Sequence, residues 1–164
     1  MAKTAILPLL TYCHIVWHFC AASDAHKLER VQEKALRAVY RSKTATNDTF
    51  LKMANLPTLR NRRLQDVAIL RYKVKHHLCP KYISDLFSLN SSGYALRNAD
   101  FMVPRSNTVN FGKYSIRYLG PVLWSKLSKD VRRSDTLLVF KNRIRQMDLN
   151  NLINEHRSCM LCDS

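Results

Sequence analysis

Apolar residues recur every three or four positions through the opening of the chain, which is the spacing of one face of an α-helix. The pattern predicts a helix over Ala5–Cys20, with Pro8 in its first turns, where proline is tolerated. Six residues form its predicted core face: Leu9, Tyr12, Cys13, Val16, Trp17 and Cys20. We expect this face to be buried.

A second amphipathic stretch follows directly. Ser23 or Asp24 is a suitable N-cap for a helix that runs to about Tyr40. Its predicted core positions share one face and are Leu28, Val31, Ala35 and Val39. Ser42–Asp48 is polar and predicts a turn. A short helix over Thr49–Ala54 is expected to end before the Leu56-Pro57 pair.

The longest apolar stripe predicts a helix over Leu59–Leu78, stopped by Pro80. The stripe consists of Leu64, Val67, Leu70 or Arg71, Val74 and Leu78. Because Arg71 falls inside the stripe, we expect it to be paired internally and to have a structural role. Tyr82–Leu86 predicts one further helical turn.

The second half of the chain has weaker patterns. Residues 88–112, rich in Ser and Asn, predict a poorly ordered linker. Alternation over Lys113–Leu119 predicts a short strand, and Gly120-Pro121 is expected to open a helix through about Leu127. Asp135 is a suitable cap for a last helix, Thr136 to about Ile153.

These patterns together predict a mainly α fold. Residues 1–87 would form a small helical bundle, 88–112 a linker, and 113–153 a smaller, mostly helical subdomain with at most one short strand. Residues 154–164 would form a tail.

The charge balance points to acidic partners. The 164 residues include 27 Lys or Arg against 12 Asp or Glu, a net charge of +15, while a hydrophobic fraction of 46% is enough for a folded core. Residues 27–77 alone hold 13 basic and 4 acidic residues. Such an excess favours nucleic acid first and an anionic membrane second.

Five cations line one face of the second predicted helix. With successive residues 100° apart, they fall within roughly 80° of one another. The row consists of Lys27, Arg30, Lys34, Arg37 and Arg41. It would extend about 20 Å and could match consecutive phosphates of a nucleic-acid backbone. A plain solvated face, with Glu33 paired to Arg37, is the equally weighted alternative.

A second set of cations, Arg60, Arg62 and Arg63, opens the long predicted helix, where positive charge opposes the helix dipole. A bound phosphate would compensate, and so would a carboxylate such as Asp66 or Asp85. Both alternatives stay open from the sequence.

A third basic group is interpreted mainly as a solvated charged turn. It consists of Lys126, Lys129, Arg132 and Arg133.

Catalytic and metal-binding patterns are weak. The sequence has no adjacent acidic pair, no Walker loop and no GxGxxG or GxSxG motif, so we expect no catalytic residues and no cofactor. His14 and His18, with Cys13 and Cys20 nearby, fit core packing better than a metal site. His156, Cys159 and Cys162 are the better-spaced ligand set, but they lack a fourth ligand, and a disordered tail is the preferred interpretation.

The compartment is predicted to be intracellular, without distinction between nucleus and cytoplasm. The five cysteines are scattered and do not form a dense disulfide framework. The uncharged stretch Thr4–Ser23 raises the alternative of a secreted or membrane-associated protein, but Pro8, His14 and His18 fit a buried amphipathic helix better. No membrane partner is therefore expected.

Several segments, in this order, resemble the C-terminal region of reverse transcriptases of non-LTR, jockey-like retrotransposons. Ile6–Trp17 resembles the segment that opens the thumb, and Lys27–Arg37 resembles the next thumb helix. The later segments with this resemblance are Leu56–Leu64, Pro80–Leu86 and Tyr118–Leu127, followed by Phe140-Lys141. The likeness covers about residues 5–150.

The resemblance implies a helical thumb that grips the template–primer duplex through its backbone. The family's palm carries an Ala-Asp-Asp type metal motif that this sequence lacks, so fingers and palm, with their Mg, would lie outside the chain. The chain alone would then not be a polymerase. The expected partners are an RNA or RNA–DNA duplex and the missing fingers and palm. A helical module that docks an acidic protein is the alternative.

Overall fold

The computed structural model describes residues 2–41, 45–87, 103–104 and 115–156. The expected mainly α fold is confirmed, and no strand occurs among the described residues. The α-helices are α1 (Ala2–Thr11), α2 (Ala22–Tyr40), α3 (Asn47–Ala54), α4 (Leu59–Lys75), α5 (Lys81–Ser84), α6 (Ile116–Lys126), α7 (Lys129–Arg132) and α8 (Leu137–Gln146). Short 3₁₀ helices cover Val16–Phe19 and Asn150–His156.

The described chain divides into two compact units, an N-terminal unit of residues 2–63 and a C-terminal unit of residues 64–156. The expected first domain, 1–87, placed all of the long helix with the N-terminal helices. In the structure, the part of α4 from Leu64 onward belongs to the C-terminal unit. The physical reason is its contacts: Gln65 donates a hydrogen bond to the carbonyl of Met147, and Tyr72 to that of Ser134.

The first helix is shorter than predicted. Cys13 adopts a left-handed backbone conformation (φ 49°), which ends the helical path, and a turn leads into the 3₁₀ helix at Val16. The predicted core face is therefore wrong. Leu9, Tyr12 and Val16 are 76%, 77% and 80% exposed, and Leu10 and His14 are buried instead.

The second helix matches its predicted range closely but buries a different face. Val31 and Val39 are half exposed, whereas Gln32 and Leu36 are buried. The buried line therefore lies roughly 80° around the helix from the predicted one. Leu36 joins Phe50, Leu51 and Ala54 of α3 in an apolar core, and Tyr40 stacks on Phe50 with ring centroids 6.2 Å apart.

The short and long predicted helices are both present. Helix α3 starts two residues earlier than expected, because the Thr46 hydroxyl accepts a hydrogen bond from the Thr49 N–H and caps it. Helix α4 begins at Leu59 as predicted but ends at Lys75. His77 takes a left-handed conformation there, and the Leu78 N–H bonds back to the Lys73 carbonyl, so the helix stops before Pro80 is reached.

An aromatic stack fills the interior of the C-terminal unit. Tyr72 lies 4.4 Å from Phe140, and Trp124 lies 5.8 Å from Phe140, centroid to centroid. All three side chains are almost completely buried. Four of the predicted stripe positions of α4 are buried with them: Leu64, Val67, Arg71 and Val74. Leu78 is exposed.

Four predictions near the C-terminal helices are wrong. Ile116–Leu119 is helical rather than extended, because Leu119, Leu123 and Leu127 fall on one buried helical face that outweighs the weak alternation. Gly120-Pro121 therefore lies inside α6. Thr136, and not Asp135, caps α8, with its hydroxyl accepting from the Val139 N–H. Extended backbone at Met147 ends α8 before Ile153.

Some expectations fall on residues that the structure does not describe. They concern most of the linker over 88–112, Lys113 of the predicted strand, and the tail beyond His156. Those expectations stay predictions.

Candidate nucleic-acid interface

Helix α2 presents its cation row to solvent. Lys27, Arg30, Lys34, Arg37 and Arg41 are all exposed, on the side of the helix away from buried Gln32 and Leu36. Both sets of residues recur every three or four positions along the 19-residue helix, and the cations therefore share one side while Gln32 and Leu36 share the other.

Two of the five cations in the row have carboxylate partners on the same helix. Lys27 Nζ lies 2.9 Å from Asp24 Oδ1, and Arg37 Nη2 lies 2.6 Å from Glu33 Oε1. Such exposed pairs contribute little stability and exchange readily with solvent ions. Both cations can therefore turn to an external phosphate at small cost.

The last cation, Arg41, occupies a special place. It ends α2 in a left-handed conformation (φ 51°), so its positive charge lies at the negative end of the helix dipole. This position extends the row to the C-terminal tip of the helix.

The arginines at the start of α4 are arranged differently from those on α2. Arg60 and Arg62 are half-buried, and Arg63 is only 3% exposed. Glu29 of α2 accepts a hydrogen bond at Oε1 from the Arg60 backbone N–H, 3.2 Å away. Thr58 caps the same turn through the Asn61 N–H, at 3.1 Å.

Arg63 packs inside the N-terminal unit. Its guanidinium carbon lies 5.1 Å from the centroid of the Trp17 ring, a cation–π contact. Burial lowers the pKa of Arg63, and the neighbouring Cys20 and Glu29 act in the opposite direction. Arg63 thus does not belong to an exposed phosphate-binding surface, which was one of the two alternatives that the sequence left open.

No local sequence pattern indicates Glu29 as the partner of α4, because Glu29 and Arg60 are 31 positions apart. A helical projection of α2 gives a partial indication that Glu29 needs a partner from another element. Glu29 lies on the buried side of α2, near Gln32, where a carboxylate needs a partner from another element.

Most cations of the basic group around α7 are exposed, and an arginine from outside this group joins α7 to α8. Lys129 and Arg133 are exposed, as a solvated turn would require. Arg143 of α8 donates a hydrogen bond of 2.8 Å to the Asp130 carbonyl and one of 3.3 Å to the Ser134 hydroxyl. Arg143 therefore holds α7 to α8.

The candidate metal ligands are not brought together where the structure describes them. Within the described ranges, no group of three His, Cys, Asp or Glu side chains is arranged to hold a metal ion. His14 is buried with its ring edge-on to Trp17, centroids 6.3 Å apart. The His156 side chain, Cys159 and Cys162 lie outside the described residues.

Over the same ranges, no helix combines the length and the apolar character needed to cross a membrane. In comparisons with known proteins, no family model matches the chain, and no curated protein or solved structure matches it.

Proposed function

We propose that the chain is the thumb and post-thumb region of a non-LTR retrotransposon reverse transcriptase, and that it binds RNA or RNA–DNA duplex through backbone phosphates. The carrying observation is the cation row of α2, five exposed cations along about 20 Å of one helix face. The segments that resemble the family, given in the sequence analysis, support the same proposal.

The chemistry of this surface is electrostatic and independent of base sequence. Lys and Arg neutralise phosphates and release the counterions that surround them, while Arg adds directed hydrogen bonds. Phosphate contacts position a protein on a duplex without reading bases. The chain would therefore hold a duplex. The fingers and palm would supply the polymerase carboxylates and their Mg. The proposed compartment is intracellular.

The test is a salt titration of duplex binding by the full chain. Wild-type affinity should fall steeply with salt, with a slope of about −0.9 per phosphate neutralised on B-form DNA. The triple variant Arg30→Glu, Lys34→Glu, Arg37→Glu should bind at least tenfold more weakly and lower the slope by about 2 to 3.

A matched control separates this surface from the overall charge of the protein. Lys52→Glu, Lys81→Glu, Arg145→Glu reverses three other exposed cations, and therefore gives the same net charge. It should keep most of the affinity and the slope. Equal losses in both triple variants, or no duplex binding by wild type at low salt, would contradict the proposed surface.

A further inference from the structure

The N-terminal unit contains a polar cluster, half-buried except for the buried Arg63, that does not belong to the α2 cation row. We call it the Arg63 cluster, and it consists of Trp17, His18, Glu29, Arg60 and Arg63. Trp17 packs on the Arg63 guanidinium, and Glu29 binds the Arg60 backbone N–H. His18 lies close enough to both arginines for their charges to act on it. Three elements, the 3₁₀ helix, α2 and the start of α4, thus meet at one polar centre.

Arg63 is the residue that needs explanation. It is only 3% exposed, and its Nε and Nη1 donors make no hydrogen bond to any described residue. Trp17 covers a face of the guanidinium, but a ring face does not accept the N–H groups at the guanidinium edge. A buried cation whose donors are unmatched is costly unless an acceptor with negative charge is supplied.

The neighbours favour an anion over a cation as the missing ligand. Arg60 and Arg63 bring two positive charges. Glu29 brings one negative charge, with Oε1 bonded to the α4 backbone and Oε2 buried without a hydrogen bond to a described residue. His18 is neutral near pH 7, because burial and then the charges of Arg63, Arg60 and His14 lower its pKa to about 4. The cluster therefore keeps a net positive charge.

A further donor lies on the same face of α2, one turn after Glu29. Gln32 is 3% exposed, and neither its Nε2 nor its Oε1 makes a hydrogen bond to a described residue. Its amide can donate to an oxyanion without adding charge. Buried polar groups in native proteins are normally hydrogen-bonded, so the unmatched donors of Arg63 call for an acceptor that no described residue supplies.

We propose that the Arg63 cluster is an oxyanion site that binds a phosphate group, with Arg63 as its principal ligand. Phosphate suits the site because it offers several acceptor oxygens to the unmatched donors of the Arg63 guanidinium. The source is either free inorganic phosphate or the terminal phosphate of a nucleic acid, since a buried site admits an end more readily than a continuous backbone. This inference does not depend on the duplex-binding surface of α2.

The experiment titrates the full chain with inorganic phosphate at pH 7.5, with sodium chloride adjusted to keep the ionic strength constant. Binding is followed by the NMR signals of the arginine Nε–H groups and of the Trp17 indole. We expect saturable shifts of the Arg63 and Trp17 signals with phosphate and none with chloride alone. An identical response to the two salts would overturn the site.

Three variants assign the response. Arg63→Gln should weaken phosphate binding at least tenfold, whereas Lys52→Gln, which removes the same charge from an exposed position of α3, should bind within twofold of wild type. Glu29→Gln keeps an acceptor for the Arg60 N–H but removes the negative charge, so phosphate should bind severalfold more tightly. Because Glu29→Gln is expected to increase the affinity for phosphate, it tests the site even if Arg63→Gln does not fold. Wild-type binding in both Arg63→Gln and Glu29→Gln would contradict the proposal.

A competition experiment identifies the source of the phosphate. A short oligonucleotide is added with either a 5′-phosphate or a 5′-hydroxyl to the phosphate-saturated chain. Displacement only by the phosphorylated form assigns the site to nucleic-acid ends, and displacement by neither form assigns it to the free ion. The α2 triple variant should still bind inorganic phosphate, which distinguishes a failure of this site from a failure of the duplex surface.

Discussion

The two units differ in the side chains that they bury. The C-terminal unit closes on Tyr72, Trp124 and Phe140, three nearly fully buried aromatic residues with stacked or tilted rings. The N-terminal unit has a small apolar core between α2 and α3, and elsewhere it buries His14, Gln32 and Arg63. Its first helix leaves Leu9 and Tyr12 largely exposed. Apolar burial therefore concentrates in the C-terminal unit, whereas both units bury polar side chains, among them Gln65, Arg71 and Ser134 in the C-terminal unit.

Two buried arginines on the same helix show the contrast directly. Arg71, in the C-terminal unit, lies with its guanidinium carbon 3.9 Å from the Phe87 centroid, and burial lowers its pKa to about 9. Arg63, in the N-terminal unit, also packs on an aromatic ring, but the charges of Cys20 and Glu29 oppose the lowering of its pKa. Similar packing on an aromatic ring thus occurs in both units. Burial lowers the pKa of Arg71, whereas at Arg63 the neighbouring Glu29 opposes the effect of burial.

The largest expected effect concerns the aromatic interior. Phe140→Ala removes a fully buried ring that touches both Tyr72 and Trp124, so the free energy of unfolding should fall by roughly 3–5 kcal/mol. Urea unfolding followed by circular dichroism measures the loss. Leu138→Ala, on the same helix but 68% exposed, is the control and should stay within about 0.5 kcal/mol. A loss below about 1 kcal/mol for Phe140→Ala would break the contrast between the two interiors.

A smaller effect is expected from the polar interior on acidification. The folded state holds the pKa of His18 at about 4, chiefly because of burial, against 6.5 ordinarily. Below pH 6.5 the unfolded chain binds a proton that the folded chain does not, so stability should fall as the pH drops from about 6.5 to 4. The loss for this group is up to about 3 kcal/mol.

Histidine NMR titration gives the pKa directly, and unfolding at several pH values gives the loss. His18→Gln should flatten this part of the pH profile, whereas His26→Gln, at an exposed position of α2, should leave it unchanged. A measured pKa near 6.5 for His18 would contradict the prediction that burial in the N-terminal unit lowers the pKa of this side chain.

The smallest expected effect tests how tightly Arg71 is held. A Cβ at Gly120 would lie 2.8 Å from the Cδ of Arg71, and that side chain has no room to withdraw because it is fully buried beside Phe87. Gly120→Ala should cost about 1–3 kcal/mol of unfolding free energy. In a double-mutant cycle with Arg71→Ala, most of this cost should disappear. A cost that persists without Arg71 would place the crowding elsewhere.

The sequence was sufficient for the features that depend on local periodicity. The α3 helix, the start of α4 and the cation row of α2 all follow from spacing and from cap residues within a few positions. The core face of α2 was harder, because Val31 and Val39 form an apolar line that competes with Gln32 and Leu36. Tertiary packing chose the second line, although it contains a glutamine.

Long-range contacts account for what the sequence could not provide. The burial of Arg63 depends on Trp17, and the charge compensation of α4 depends on Glu29, and both partners lie on other elements. The early end of the first helix depends on a single left-handed residue, Cys13, which belongs to a residue type without any turn preference. Periodicity carries no information about such contacts.

Left-handed residues at Arg41, Asn55 and His77 end three consecutive helices, α2, α3 and α4, and none of them is glycine. The whole chain contains only 3 glycines. A side chain in this conformation costs about 1 kcal/mol more than glycine would, and somewhat less for asparagine. Replacing these residues by glycine should therefore stabilise the protein without changing either interior. His77 is the first position to change, because it lies outside the cation row.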